Sequence, residues 1–540
     1  MLFARLSLMA LALGASAASL ANGFAYDDLP IILQNPLVHK LSDIGIHFVE
    51  GYWPYNYGGA LYRPITLLAF TIEWVVGHGA PIVFHATNLA LYLALTFAVF
   101  ALARRLLPPV AAWASAALFA VHPVHVEAVA NAVGQAEIIA VLSVALGIRV
   151  YLRARERGVL RARDSMALLL LLCIGTLAKE QGILLGPLLA VAELSVVTDA
   201  RPLAARLREL WTTAFLLVLG TGLLLGLRYA ALGAVGGEYP SIALHGTGFG
   251  DRVLTMLGIV PVWTRLLLWP AHLQAEYGPP ALGAARSFGL RQLLGLALIA
   301  GTLAIAAATW KRHRVVAFGI GWAAVGISLV SNVLIVTGML VAERTLLLPS
   351  IGVVLALGGI MAELGERIAW PRAARPLGTA ALGAVLVAGM LRSAARQPVW
   401  RDNGIFFKQM VHDAPNAYRG WYIYGDYLRQ HGSLAQAHAA ITRAIDLFQG
   451  DPNVYDGMGR LTYKEKGCAA AIPYFEKALA IDTLHFKARG GLYTCLVQTG
   501  DTARARKVAA KGAALQEGFF KLIVAQQRAA TTPAAAVERK

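Results

Sequence analysis

At 540 residues the chain is longer than one soluble core supports and calls for at least two domains. It is 57% hydrophobic and 15% charged, with a mean hydropathy of +0.58, whereas soluble proteins carry roughly 25% charged residues; a wholly soluble protein is excluded. The formal charge of +17 does not signal nucleic acid, because the densest basic clusters (Arg104-Arg105, Arg153 to Arg163, Arg201 to Arg208, Lys311 to Arg314, Arg367 to Arg375) stand between apolar runs, as the cytoplasmic ends of membrane spans do.

Residues 2–21, with Arg5, an apolar centre and Ala15-Ser16-Ala17-Ala18, read as a retained first span rather than a signal peptide, since Asp27-Asp28 follow at once. An aromatic-rich loop leads to Tyr62-Arg63-Pro64, and the short apolar stretch 67–76, interrupted by Glu73, reads as an interfacial helix. Further spans are expected at 82–103, 109–122, 133–151, 166–179, 182–198, 211–231, 289–309, 315–336, 345–364 and 376–392, about eleven with the first. The stretch 253–269 is broken by Pro261 and Arg265 and reads as re-entrant or interfacial. This arrangement puts the basic clusters on the cytoplasmic side and the loops 25–80, 122–133 and 233–288 on the other. An odd number of spans puts the C-terminal part outside as well.

From Trp400 the composition turns soluble and helical. Trp421, Tyr424-Gly425, Ala437, Ile441 and Ala444 are echoed 34 residues later by Tyr455, Met458-Gly459, Ala471, Phe475 and Ala478, and a weaker third copy has Gly500 and Ala505. That period, with aromatic and small residues at fixed offsets, is the signature of tetratricopeptide repeats. The chain thus divides into a membrane domain at 1–398, a repeat domain at 399–528 and a disordered tail at 529–540. Cys173, Cys468 and Cys495 form no CxxC and suggest neither a metal site nor a disulfide framework.

Ionisable residues at membrane boundaries are costly and default to functional candidates. Asp27 and Asp28 are adjacent, so on a helix they point about 100° apart and only one faces a cavity; either is a general-base candidate, or a helix cap. His122, His125 and Glu127 offer a weak metal set or a polar substrate wall. Lys179-Glu180 and Glu343-Arg344 are either interfacial ion pairs or parts of a cationic clamp on a phosphate, with Arg63 as a further candidate.

Taken in order, Tyr26-Asp27-Asp28, Asn35, Tyr62-Arg63-Pro64, Phe84-His85-Ala86-Thr87-Asn88, the run His122 to Val129, Lys179-Glu180, the run Ala342 to Ser350, and Trp400-Arg401-Asp402 before the repeats resemble the TMTC proteins, the transmembrane and tetratricopeptide-repeat-containing O-mannosyltransferases, and their bacterial relatives. The resemblance implies an all-α, GT-C-like bundle followed by a short repeat solenoid. It also implies an inverting, integral-membrane glycosyltransferase that takes a sugar from a polyprenyl-phosphate donor and delivers it to Ser or Thr hydroxyls of exported proteins on the periplasmic face of a bacterial inner membrane. On that footing Asp27 or Asp28 is the catalytic base, and Arg344, Lys179 and Arg63 bind the donor phosphate, Arg344 being favoured because Lys179 can neutralise Glu180. Tyr62, His122, His125, Glu127, Glu180 and Glu343 line the substrate cavity. Tyr422, Tyr424 and Tyr455 serve acceptor capture on the repeats. No metal site or resident cofactor is assigned, a divalent ion being left open; membrane lipids are partners and nucleic acid is not. The competing expectations are transfer to a glycolipid or surface polysaccharide, and a non-enzymatic membrane scaffold.

Overall fold

A computed structural model describes residues 1–54, 61–235, 241–367 and 374–515; the expected tail at 529–540 and the end of the expected repeat domain lie outside these. The described residues form helices and no β-strand. They divide into two compact units, one comprising Met1–Ala275 and Ala284–Phe406, the other Glu276–Gly283 together with the chain from Phe407.

The first unit contains α1 (Leu2–Ser16), α2 (Pro64–Gly77), α3 (Pro81–Leu106), α4 (Pro109–Ala120), α5 (Val126–Ala130), α6 (Gln135–Glu156), α7 (Ala162–Ala178), α8 (Leu185–Ser195), α9 (Leu203–Leu232), α10 (Phe249–Leu268), α11 (Leu290–Thr309), α12 (Arg314–Ser328), α13 (Leu347–Arg367) and α14 (Ala374–Arg396). Proline opens α2, α3 and α4, where its missing N–H costs nothing and its fixed φ favours the first turn. His78 and Gly79, both left-handed, end α2 and turn the chain into α3. Apolar side chains of α3, α4, α6, α7, α8 and α13 share one core, closed by Trp322, whose indole N–H donates to the Leu348 carbonyl.

Seven described helical stretches are long and apolar enough to cross a membrane: Leu2–Ala21, Pro81–Leu106, Ala132–Glu156, Leu203–Leu232, Leu290–Thr309, Glu343–Gly365 and Leu377–Trp400. An eighth is reached if Pro109–Ala120 and Pro123–Ala130, bent by 46°, count together. About eleven were expected. The difference lies in local geometry: the chain breaks at His122-Pro123, α7 ends after 17 residues, α8 is an 11-residue helix behind a 3-10 turn (Glu180–Leu184), and α12 stops at Ser328 after 15 residues. The chain is a multi-pass membrane protein all the same.

Between α7 and α8 the chain reverses through Lys179, whose extended backbone separates the helix from the 3-10 turn. Gly182 there abuts Gly175 so closely that a Cβ would overlap the Gly175 carbonyl carbon.

The second unit begins within α15 (Asn403–Asp413) and continues as three helix pairs: α16 (Tyr418–His431) with α17 (Leu434–Leu447), α18 (Pro452–Lys466) with α19 (Cys468–Ile481), and α20 (Phe486–Gln498) with α21 (Thr502–Ala514). The 34-residue period has its physical cause here. Gly425 and Gly459 lie against Ile441 and Phe475 of the partner helix, and a Cβ on Gly459 would come within 2.7 Å of the Phe475 ring. Ser433, Asp451 and Asp501 accept backbone N–H groups at helix starts. Although the sequence suggested no disulfide framework, Cys468 of α19 and Cys495 of α20 form a disulfide, which the spacing of 27 residues did not announce because no motif accompanies it.

Candidate functional site

Asp27 and Asp28 sit in the loop between the 3-10 turn Ala17–Ala21 and a π-helical turn, Leu29–Leu33. As the adjacency argument requires, they diverge. Asp28 is fully buried and accepts the backbone N–H of Val133 at 2.9 Å and those of Ala132 and Ala25 at 3.3 Å. It therefore fastens the loop to the 3-10 turn (Ala132–Gly134) that opens α6. Burial pushes the Asp28 carboxyl up to about 7, against the pull of the three N–H donors.

Asp27 faces the other way, its Oδ2 lying 3.3 Å from Arg344 Nη1. Arg344 gathers three carboxylates. Glu127 Oε1 is 3.6 Å from Nη1, Glu137 Oε1 is 3.5 Å from Nε, and Glu127 Oε2 also accepts the Arg344 backbone N–H at 2.9 Å. That last bond sets an acid at the start of the 3-10 turn Glu343–Leu346, where the dipole favours it. Lys179 donates to Glu137. With every group ionised, Asp27, Glu127 and Glu137 against Arg344 and Lys179 leave one net negative charge.

A second ionic group stands beside the first. Glu180 Oε2 accepts from Arg63 Nη2 at 2.8 Å and its Oε1 from Arg228 Nη1 at 3.1 Å. Thr66 of α2 donates to the Ala178 carbonyl at 2.8 Å, which brings Arg63, at the cap of α2, to the end of α7. The Tyr52 ring lies 5.0 Å from the Arg63 guanidinium carbon. Burial works to raise the Glu180 carboxyl, but Arg63 and Arg228 outweigh it and hold it at about 2. This group carries one net positive charge.

The positive group borders a cavity of about 190 Å³, lined by Tyr62, Arg63, Lys179, Glu180 and Arg228 and otherwise by mostly apolar residues, including ones of α7, α9, α10 and the segment before Thr345. An apolar groove of about 550 Å³ runs along α7, α8 and α9, and Ile183 lines both spaces.

The expected residues thus divide. Asp27, Glu127 and Arg344 meet in one group, and Arg63, Glu180 and Tyr62 meet at the cavity, with Lys179 between them. Lys179 pairs with Glu137 and not, as expected, with Glu180. That removes the reason for favouring Arg344 at a phosphate, and Arg344 is itself enclosed by carboxylates. His122 and His125 line neither space. His122 caps the turn at Val124 and meets the Leu267 carbonyl, and His125 bridges Tyr92 and Ser350. Among the described residues no group of three His, Cys, Asp or Glu is placed to hold a metal. Glu343 accepts the Gln274 backbone N–H and ties the following loop to the Arg344 turn. In the repeats, Tyr424 packs on the core and Tyr455 is buried beneath Lys477, whereas Tyr422 is half-buried and receives a long hydrogen bond from Arg460. Sequence reasoning missed Arg228 and left Glu137 without a role. The available signal was an ionisable residue inside or at the end of an apolar run.

No family model matches the chain. Among curated proteins it is 26% identical over 488 residues to human protein O-mannosyl-transferase TMTC4, covering 81% of this chain and 65% of that one. It is 30% identical over 312 residues to Drosophila melanogaster Tmtc1, covering 54% and 36%, and 24% identical over 475 residues to mouse TMTC3, covering 83% and 51%. The chain therefore spans less than two-thirds of the length of each. Among solved structures, yeast Tom70 covers 73% of this chain at 12% identity and a TM-score of 0.24, too low to bear on the fold. These relatives are protein O-mannosyl-transferases of one group, and the chain is similar to the TMTC family over much of its length.

Proposed function

We propose that the chain is a membrane glycosyltransferase that moves a sugar, mannose by the names of its relatives, from a polyprenyl-phosphate carrier to a Ser or Thr hydroxyl of an exported protein. The observation that carries this reading is the split site, in which a carboxylate-rich group containing Asp27 stands next to a cavity edged by Arg63 and Arg228. Such a transfer needs a base at the acceptor and positive charge at the leaving group. Asp27 takes the hydroxyl proton as the acceptor oxygen bonds to the anomeric carbon. The bond from that carbon to the phosphate oxygen breaks, its electron pair leaves with the polyprenyl phosphate, and Arg63 and Arg228 meet the new charge. One displacement inverts the anomeric centre. Arg344, 3.3 Å from the Asp27 carboxylate, keeps it aimed.

The apolar groove suits the carrier's chain. From Leu207, at one end of the groove, to Arg228 at the cavity, α9 rises about 31 Å, close to the full hydrocarbon thickness of a bilayer. An ordinary acyl chain reaches only the midplane, so an occupant anchored at Arg228 and filling the groove is longer than that. The basic ends of α3 and α6 and the basic start of α9 favour a cytoplasmic position opposite the site, and the Cys468–Cys495 disulfide favours an oxidising compartment such as the periplasm for the repeats. The repeats are the element suited to acceptor capture, with Tyr422 and Tyr424 half-buried and Tyr455 buried.

The test is transfer from a polyprenyl-phosphate sugar to a Ser/Thr peptide by the purified chain in liposomes. Asp27→Asn lowers turnover by about 10²- to 10⁴-fold; turnover within threefold of the parent chain excludes Asp27 as the base.

A further inference from the structure

The segment that leads from the last membrane helix to the repeats holds the Asp27 loop in shape. Tyr26, next to Asp27, has φ of 53°, a left-handed conformation that a bulky side chain adopts only when its surroundings enforce it. Its backbone N–H donates to Asn403 Oδ1 at 2.6 Å, and its ring stacks on Phe406, with centroids 5.1 Å apart at 27°. Nearer α1, the Gly23 N–H donates to the Arg401 carbonyl at 2.9 Å, and the Asn22 amide donates to the Gln397 carbonyl at 3.0 Å. Phe406 is itself buried and set against Trp400, centroids 5.6 Å apart. The loop is therefore gripped on one side by Gln397–Phe406 and on the other, through Asp28, by Ala132 and Val133.

We propose that Asn403 and Phe406 are positioning residues for Asp27: they impose the left-handed turn at Tyr26 that aims the Asp27 carboxylate at Arg344 and the acceptor. The inference rests on the reading of Asp27 as the base. Neither residue touches a substrate or carries a proton; each acts through Tyr26. Without the Asn403 acceptor or the Phe406 ring, Tyr26 relaxes to negative φ and the next side chain swings away. Arg63 and Arg228 keep their places, because no part of the grip reaches them.

Four variants of the full-length chain in liposomes test this: Asn403→Ala, Asn403→Asp, Phe406→Ala and Phe406→Tyr. Two readouts are taken, amide hydrogen exchange across residues 22–28 and transfer kinetics with the donor varied. In Asn403→Ala and Phe406→Ala, exchange over the loop quickens and kcat falls at least tenfold, with donor KM within twofold of the parent. Asn403→Asp, which keeps an acceptor oxygen, and Phe406→Tyr, which keeps the stacked ring, restore kcat to within threefold. Unchanged exchange in the alanine variants overturns the grip. Quickened exchange with unchanged kcat, or a donor KM that rises in step with the loss, overturns the positioning role. A parent chain that transfers no sugar to any acceptor overturns the transferase reading instead, and the exchange data then still decide whether the segment holds the loop.

Discussion

Two ionic groups occupy opposite ends of α6, and they balance their charges differently. At the basic end, Arg155 meets Glu193 at 3.0 Å, Asp199 at 2.7 Å and Glu209 at 3.7 Å, while Arg206 and Arg201 complete the pairing and Tyr151 donates to Glu193. Three arginines face three carboxylates in one interlocked set. At the other end, four carboxylates (Asp27, Glu127, Glu137, Glu180) face four cations (Arg344, Lys179, Arg63, Arg228), yet the neutral sum is parted into a negative and a positive half. Interlocked charge stabilises a helix junction. Parted charge leaves one half biased towards a proton and the other towards an anion, which is the asymmetry a displacement reaction uses.

Mutations that remove one partner sharpen the contrast. Arg155→Met leaves the buried Glu193 carboxylate short of a cation and destabilises the fold by about 3–5 kcal/mol; thermal unfolding shows a lowered midpoint, while turnover per folded molecule holds. Arg228→Met gives the opposite pattern, a loss of about 10²- to 10³-fold in kcat on the scale of one missing charge-stabilising donor, with a midpoint close to the parent's. If Arg155→Met cuts turnover and Arg228→Met does not, the contrast is reversed. A smaller effect is expected from Ala214→Trp, which fills the groove on α9. KM rises several-fold for a long-chain polyprenyl donor and stays level for a short, water-soluble one. Equal effects on both donors remove the groove from the carrier's path.

A further effect concerns pH. The folded Asp28 carboxyl is raised from 3.8 to about 7, so it holds its proton better folded than unfolded. Its contribution to stability is full below about pH 4 and is lost as the pH climbs to about 7. The unfolding midpoint of the parent chain therefore declines across that window, and Asp28→Asn, which cannot titrate, flattens the decline from an already lower starting value.

Much of this was legible in the residues. The 34-residue echo located the close contacts at Gly425 and Gly459, because a helix hairpin that tight tolerates only small residues there. The divergence of Asp27 and Asp28 followed from adjacency alone. What could not be read was long-range pairing. Lys179 and Glu180 looked like one neutral pair, but an extended backbone at Lys179 sends the two side chains to different partners, Glu137 and Arg63 with Arg228. Arg228, near the end of a 30-residue apolar helix, stood in no motif that singled it out. The histidines of His122-Pro123-Val124-His125 offered ligand chemistry, yet the break they sit in consumes both as hydrogen-bond partners. Span counting failed where bends and 3-10 turns shorten the helices, which hydropathy does not sense.

The reversal at Gly182 has a consequence for how the site could evolve. Because the backbone there touches that of Gly175, any side chain at position 182 pries the turn off the end of α7, and Lys179 and Glu180 are dragged along on the same few bonds. Gly182→Ala would blur the border between the halves without altering a single ionisable residue. A lone hydrogen atom, in place of a methyl group, is what keeps opposite charges in separate rooms.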